Sequence, residues 1–350
     1  NMEITDRKKL ILAATIGEYI RTAEPVGSKV LSGDFSCSPA TIRQELGELE
    51  KVGFLAQPHT SSGRVPTDLG YRYYVDTLMK KTQLSTRDQQ ALHVAIDSLS
   101  ENLSDAFSQI SQILSSLIDY TIIVLTPDIF IESLKVVHLI MVDLDRILVV
   151  LLHSAGLNKE FLLKVPPENI NQDDLNRISK LLTDKLEGKS LSDLSEDMLT
   201  SLLMSLPEYK TILTSLHLEL NRLNQSNHQD RQLLMGGTSK MLKLPEFKNI
   251  EFTQKVLSTL EESKVLLGLL SYYQQQGDYK VVIGAETNIE NLRDCSLVVS
   301  PIKMGGHLGG ALGVLGPKRM PYDKIVPLVE QISHLVTTNL ARYSENGVGV

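Results

Sequence analysis

The sequence predicts an α+β protein of more than one domain: an N-terminal winged helix-turn-helix unit, then a mixed domain interrupted by a mostly helical insertion. Three observations carry this. A chain of 350 residues exceeds one typical domain. The first eighty residues place helix signals around one short hairpin signal. Strand-like runs then stand on both sides of a long helical block.

The first helix is expected from about Asp6 to Arg21, where Leu10, Ile11, Ala14 and Ile20 give an apolar side. Glu24-Pro25-Val26-Gly27 stops it, since proline and glycine do not continue the hydrogen-bond ladder. A short helix from Ser28 to about Asp34 follows. Ser38 as N-cap and Pro39 at the first helical position then start a helix that runs to Lys51, and Gly53 closes it. Phe54 to Gln57 reads as a strand, Pro58 to Pro66 as a loop with its tip at Ser62-Gly63, and Val65 as the start of a return strand. Thr67 caps a helix through Met79 that carries Tyr71, Tyr73 and Tyr74. This order is winged-helix architecture.

From Leu92 the apolar positions run 92, 96, 99, 103, 106, 110, 113 and 117, a heptad spacing. The flanking residues are Ser, Gln and Asn more than charges, which fits a helix pair in a bundle or at a dimer interface, with a break near Ser100 to Asn102. Strands are expected at Tyr120–Leu125, Leu134–Val142, Ile147–His153 and Glu160–Val165, the last three as an antiparallel meander. Asp173 to about Arg231 reads as helical, Gly236-Gly237 and Leu244 to Phe247 as irregular, and Thr253–Leu260 as helix. Val265–Tyr272, Tyr279–Ala285, Ser296–Pro301 and Ala311–Leu315 read as strands, followed by a helix from Asp323 to Leu340. The division that results is 1–80, a linker at 81–119, one mixed domain split into 120–165 and 251–343, and an insertion at 166–250.

Composition excludes several classes. Hydrophobic residues make up 42% and charged residues 22%, ordinary for a globular chain. Leu134 to Leu152, the best apolar stretch, is broken by His138, Asp143, Asp145 and Arg146, so no membrane span is expected. Asn1-Met2-Glu3-Ile4 lacks the features of a secretory signal, and Cys37 and Cys295 make no disulfide framework; a cytoplasmic location is expected. The net charge is −7, yet residues 1–80 hold ten basic and ten acidic residues, so the excess lies beyond them. A nucleic-acid site is therefore expected in the first eighty residues.

On the Pro39–Lys51 helix, Ile42, Leu46 and Leu49 fall within about 60° and form the buried stripe. Gln44 lies opposite, flanked by Ala40, Gly47, Glu48 and Lys51. Such a face suits a DNA groove: Arg43 matches guanine, Gln44 adenine, and Ser38 and Thr41 phosphate. Thr60, Ser61, Ser62 and Arg64 on the wing suit backbone or minor-groove contact. Glu45, Glu48 and Glu50 count against this unless they point sideways or lie far along the helix. The alternative is a helical protein-interaction module in which Arg43 and Lys51 are simply solvated.

Other motifs ask for no enzyme, metal or cofactor. The cluster Gly305 to Gly313 lacks the lysine-serine ending of a phosphate loop and reads as a hairpin. Asp143 and Asp145 sit between strands, where aspartate bonds its own backbone in a turn. The eight histidines are scattered singly, and neither cysteine has a base nearby in sequence.

Several segments resemble a known family: Glu24-Pro25-Val26-Gly27-Ser28, Ser38 to Arg43, Leu49 to Leu55, Gly70 to Asp76 and especially Gln57-Pro58-His59-Thr60-Ser61-Ser62-Gly63-Arg64-Val65-Pro66-Thr67-Asp68. They are similar to the heat-inducible transcription repressor HrcA family, and the likeness extends over essentially the whole chain. The resemblance implies a winged helix, a GAF-like domain and an inserted dimerising domain. It also implies a homodimeric repressor of chaperone operons on an inverted-repeat (CIRCE-type) operator, with a GroE-type chaperonin as partner. Two other readings stay open: a ligand-responsive regulator whose GAF-like domain binds a small effector, and an enzyme site assembled in the C-terminal part.

Overall fold

The computed structural model describes residues 4–346 except 34, 36, 60, 61, 100–102, 128–132, 154–157, 167–169, 192–195, 226–230 and 305–306. Helix α1 (Asp6–Thr22) starts at Thr5, whose side chain accepts from the Lys8 amide, and ends at Ala23 in the left-handed region. A single turn, α2 (Ser28–Leu31), follows, and then α3 (Pro39–Lys51), capped by Ser38 with Pro39 in the first turn. Ile11, Leu12 and Ile16 of α1 pack on Ile42, Leu46 and Leu49 of α3. Strands β1 (Leu55–Ala56) and β2 (Val65–Pro66) pair antiparallel, and Val26 adds a bridge to Arg64 on the other side of the return strand. Thr67 caps α4 (Asp68–Tyr73), which continues into one π-helical turn, Tyr74–Leu78.

Helices α5 (Thr86–Asp97) and α6 (Leu103–Leu117) form the expected helix pair; the expected break at 100–102 lies outside the described residues. On α6 the buried stripe is Ala106, Phe107, Ile110 and Leu114, a 3.6-residue period facing one core, while Leu117 is exposed. Both helices share the core on one face of a five-stranded antiparallel sheet.

That sheet is built from β3 (Thr121–Leu125) and four strands from much later in the chain. Before they appear, the chain forms the meander β4 (Leu134–Asp143), β5 (Arg146–His153) and β6 (Asn158–Lys164), then α7 (Gln172–Leu186), α8 (Glu196–Ser205) and α9 (Lys210–Gln225). It returns through β7 (Leu233–Gly236), α10 (Thr238–Met241), α11 (Ile250–Glu261), α12 (Ser263–Gln274), β8 (Lys280–Ile283), β9 (Cys295–Met304), β10 (His307–Pro317) and α13 (Tyr322–Asn346). Strand order is β7-β3-β10-β9-β8. Alternate residues of β3 serve opposite faces: Ile122 and Val124 pack with α5, α6 and α13, and Ile123 and Leu125 with α11 and α12. Burial on both faces explains why all five positions are apolar or β-branched.

Three expectations change. Val265–Tyr272 lies in helix α12: a short apolar run does not distinguish strand from buried helix, and four leucines against one β-branched valine favour helix. Gly236, expected with Gly237 to be irregular, ends edge strand β7 (Leu233–Gly236), which pairs with β3. The meander does not share a sheet with the C-terminal strands; it packs with α7, α8 and α9 around its own core of Leu139, Val149, Leu163, Ile178 and Ile212. The chain leaves the large sheet at Thr126 and rejoins it at Gln232. The Thr126 amide donates to Gln232 O at 3.0 Å, and the Gln232 amide donates to Thr126 Oγ1 at 2.8 Å.

The meander has two unlike faces. Leu139, Val149 and Leu163 point inward, while Ile140, Leu148 and Leu162 lie in cross-strand register on the outside. Ile140 is 44%, Val142 49% and Leu162 51% exposed. The outer edge of β4 is capped: amides of Val137, Leu139 and Met141 donate to Thr183, Ser179 and Gln172 of α7. Asp143 to Arg146 close the β4–β5 turn, with Arg146 holding the Asp143 carboxyl down at about 2.

Candidate nucleic-acid interface

Ser38 Oγ accepts from the Thr41 amide at 3.2 Å and lies 3.0 Å from Thr41 Oγ1, so both hydroxyls stand at the start of α3. Ser38, Ala40, Arg43 and Gln44 are exposed, Thr41 and Gly47 half-buried, and Ile42, Leu46 and Leu49 buried as the helix wheel requires. Nothing lies within 4 Å of where a Gly47 side chain would begin. The Gln44 amide reaches Glu48 at 3.3 Å.

The three acids of α3 are each answered from elsewhere in the fold. Glu45 is buried and receives the Arg7 guanidinium of α1, with Nε at 2.8 Å. Glu48 pairs with Lys8 Nζ at 2.6 Å. That bond and the Gln44 amide hold its carboxyl below the usual glutamate range, and Glu48 in turn raises Lys8. Glu50 takes Arg64 Nε at 2.9 Å. Sequence reasoning missed Arg7 and Lys8; the run Arg7-Lys8-Lys9 was the available signal, but its register against α3 is set by tertiary packing.

On the hairpin, side chains expected to reach outward turn inward. Ser62 Oγ donates to His59 O at 2.7 Å and accepts from the His59 amide at 3.0 Å, folding the tip. Gln57 Nε2 donates to Ser62 O at 3.0 Å. Arg64 is committed to Glu50 and carries the Val26 bridge, both backbone bonds at 2.9 Å. Gly63 is needed because a Cβ there would collide with the Pro25–Val26 backbone. Thr60 and Ser61 lie outside the described residues. Tyr71 is buried, and Tyr73 stacks on Phe54 at 4.8 Å, so these rings serve packing.

The opposite side of this unit rests on the C-terminal sheet. Asp68 pairs with Lys318 at 2.8 Å and accepts from the Ala285 amide at 3.2 Å; Arg72 bonds Glu286 and Asp76. Arg319 Nη1 donates to Ile20 O at 2.9 Å while its fork holds Glu246. Burial lowers the Lys318 ammonium, but Asp68 and Asp294 outweigh it and raise the group overall. The face through Ala40, Gln44 and Gly47 takes no part in this contact. Among the described residues no group of three or more His, Cys, Asp and Glu side chains is arranged to hold a metal, and no helix is long and apolar enough to cross a membrane. Burial pushes the Cys295 thiol up to about 12.

Comparison with known proteins adds three findings. The family model for the HrcA protein C-terminal domain matches residues 104–326. Proteins named heat-inducible transcription repressor HrcA from Pelotomaculum thermopropionicum and Carboxydothermus hydrogenoformans are 34% and 36% identical. They align over 98% and 94% of this chain and 98% and 96% of their own length. A crystal structure of a hypothetical protein at 2.2 Å is similar in fold, with TM-score 0.62, 21% identity and coverage of 97% of this chain and all of that one.

Proposed function

This chain belongs to the HrcA family, and from that premise we propose that it is a dimeric transcription repressor of heat-shock chaperone operons that reads an inverted-repeat operator. In this reading α2 and α3 form a helix-turn-helix, the β1–β2 hairpin is the wing, and α3 enters the major groove. The observation that carries it is the open face of α3. Arg43 and Gln44 project from it, and the acids of the same helix are neutralised from within the protein. An acidic helix would otherwise be repelled by phosphate. Ser38 and Thr41 stand where a phosphate oxygen meets the helix N-terminus, Arg43 reads guanine and Gln44 adenine. Thr60 and Ser61 contact the DNA backbone; Ser62 and Arg64 act by shaping and anchoring the wing.

The five-stranded sheet with its helices corresponds to the GAF-like domain, and the excursion between Thr126 and Gln232 to the dimerising insertion. On this reading the insertion includes the meander, which shares a core with α7, α8 and α9, and so begins before the expected 166. The uncovered apolar face at Ile140, Leu148 and Leu162 supplies the surface on which a second copy packs. Two copies are required because one helix reads too few base pairs for useful specificity. The chaperonin partnership and the cytoplasmic setting rest on the family resemblance.

Fluorescence anisotropy on an inverted-repeat duplex and a scrambled duplex tests the reading. Wild type should prefer the repeat, and Arg43→Ala should lose about 1–3 kcal/mol of binding and relax base preference. Equal titrations of wild type and variant, or equal affinity for both duplexes, would refute it.

A further inference from the structure

Residues 79–85 join the first eighty residues to the rest of the chain and form neither helix nor strand, yet they are not a loose tether. The Thr82 amide donates to Asp323 O at 2.8 Å, and its hydroxyl bonds Asp323 Oδ2 at 2.9 Å. Lys81 bonds Glu330 at 2.6 Å and stands 4.4 Å over the Tyr279 ring. Beneath this connector the two units share one apolar core. Leu12 and Ile16 of α1 and Tyr71 of α4 belong to the same cluster as Tyr322, Ile325 and Val329 of α13, with the Tyr71 and Tyr322 rings 6.0 Å apart.

A polar joint surrounds that core. Arg72 Nε donates to Glu286 at 2.9 Å and its Nη2 to Val281 O; Asp68 takes Lys318 and the Ala285 amide; Arg319 ties Glu246 to the Ile20 carbonyl. The anchors come from α1, α4 and the connector, three separate elements, so they resist tilting as well as sliding. The neck of the excursion is held too: Arg231, 9% exposed, donates to Thr126 O at 3.2 Å and to Gln274 at 2.8 Å, and Gln274 donates to Gly310 O at 2.8 Å. Helix α3 therefore keeps a fixed attitude to the sheet and to the point where the excursion leaves it.

A fixed attitude has a consequence on DNA. One base pair added between two half-sites moves the second by about 3.4 Å and turns it by about 35°. Charge-assisted hydrogen bonds do not survive shifts of that size. A docked pair of wing units fits one spacing, whereas a loosened pair swivels to fit several.

We propose that Arg72 and Arg319 are positioning residues for operator choice. By locking the wing unit to the sheet they restrict the dimer to inverted repeats of one half-site spacing, although neither is part of the α3 face. This selection by spacing rests on the operator reading and goes beyond it, since it concerns residues that touch no base or phosphate. A partly exposed ion pair contributes little alone, so both guanidinium forks must go before the joint loosens.

The test titrates the full chain by anisotropy against inverted-repeat duplexes with identical half-sites and a spacer varied one base pair at a time over a helical turn. Wild type should lose roughly tenfold or more in affinity for each step from its best spacer, the loss of at least one charge-assisted hydrogen bond. The double variant Arg72→Gln/Arg319→Gln should flatten that loss to about threefold with its circular dichroism unchanged. Its amide exchange should be faster in peptides covering 68–76 and 80–84. Lys255→Gln, which removes an exposed ion pair within α11, should keep the wild-type profile. A flat wild-type profile would overturn the proposal without any variant. A double variant that exchanges no faster, that keeps the steep steps, or that is weaker by one factor at every spacing would overturn it as well, the last being the mark of a merely structural prop. Wild type that prefers no repeat over a scrambled duplex would remove the operator reading and this selection with it.

Discussion

Replacing Gly63 by alanine tests how the hairpin is held. A Cβ on Gly63 would sit 2.7 Å from the Pro25 carbonyl carbon and closer still to that of Val26. Both are backbone atoms that cannot rotate aside, so the two segments must separate by roughly 1 Å to reach ordinary contact. Separation breaks the bond from the Val26 amide to Arg64 O and its reciprocal, each 2.9 Å long. Two partly buried backbone hydrogen bonds contribute about 1–3 kcal/mol together. Loosening buried Val26 from the core brings the local cost to about 2–3 kcal/mol. At 1.4 kcal/mol per decade this is roughly a 30- to 150-fold loss of protection against amide exchange. Hydrogen exchange read by mass spectrometry on peptides covering 24–30 and 60–67 measures it. Gly27→Ala is the control, because nothing lies within 4 Å of a Cβ there and its φ of −92° suits any residue. Protection in Gly63→Ala within threefold of wild type, or an equal effect of Gly27→Ala, would show the close approach to be unimportant.

Three other outcomes follow from the same geometry. Lys8→Met leaves Glu48 of α3 without its 2.6 Å partner; if α3 enters the groove as proposed, operator affinity should fall in an anisotropy titration with the circular dichroism unchanged. Adding Glu48→Gln should restore the affinity, and a double variant no better than Lys8→Met would sink the compensation argument. Ile140→Asp on the outer face of the meander should yield monomers by light scattering after size exclusion, whereas an unchanged dimer would place the interface elsewhere. On the alkaline side, burial pushes Tyr74 and Tyr120 up to about 12, and Lys318 is raised by Asp68 and Asp294 against its own burial. Folded values above the unfolded ones mean that this stability is complete below pH about 10 and drains away as pH climbs towards 12. A urea midpoint that does not fall between pH 9 and pH 11 would contradict it.

Local signals were legible where local chemistry decides the outcome. Ser38-Pro39 announced α3 and Thr67 announced α4, because a cap side chain and a fixed proline φ act within one turn. The meander was readable from β-branched runs separated by the Asp143 to Arg146 turn and by Ser154-Ala155-Gly156. Pairings between distant segments were not readable. The partners of Glu45 and Glu48 come from α1, and nothing in the sequence shows that Ser62 bonds His59 or that Arg64 bonds Glu50 and bridges Val26. Helix α12 was misread because a run buried against a sheet loses the polar positions that reveal its period. Heptad spacing pointed to the α5–α6 helix pair, but spacing says that residues share a stripe and not what covers it.

The order of the large sheet sets a timetable for its own assembly. Strand β3 is complete once residue 125 has been made, yet one neighbour is residues 233–236 and the other residues 311–315. Throughout synthesis of everything between, five consecutive sheet-forming residues remain without either flank, and helices α5 and α6 have little to cover. Closure waits for β10, the last described strand, and requires a loop spanning more than half the polypeptide, which makes it slow relative to local hairpins and helices. Each new copy therefore passes through an interval in which this apolar ribbon is available to the wrong neighbour.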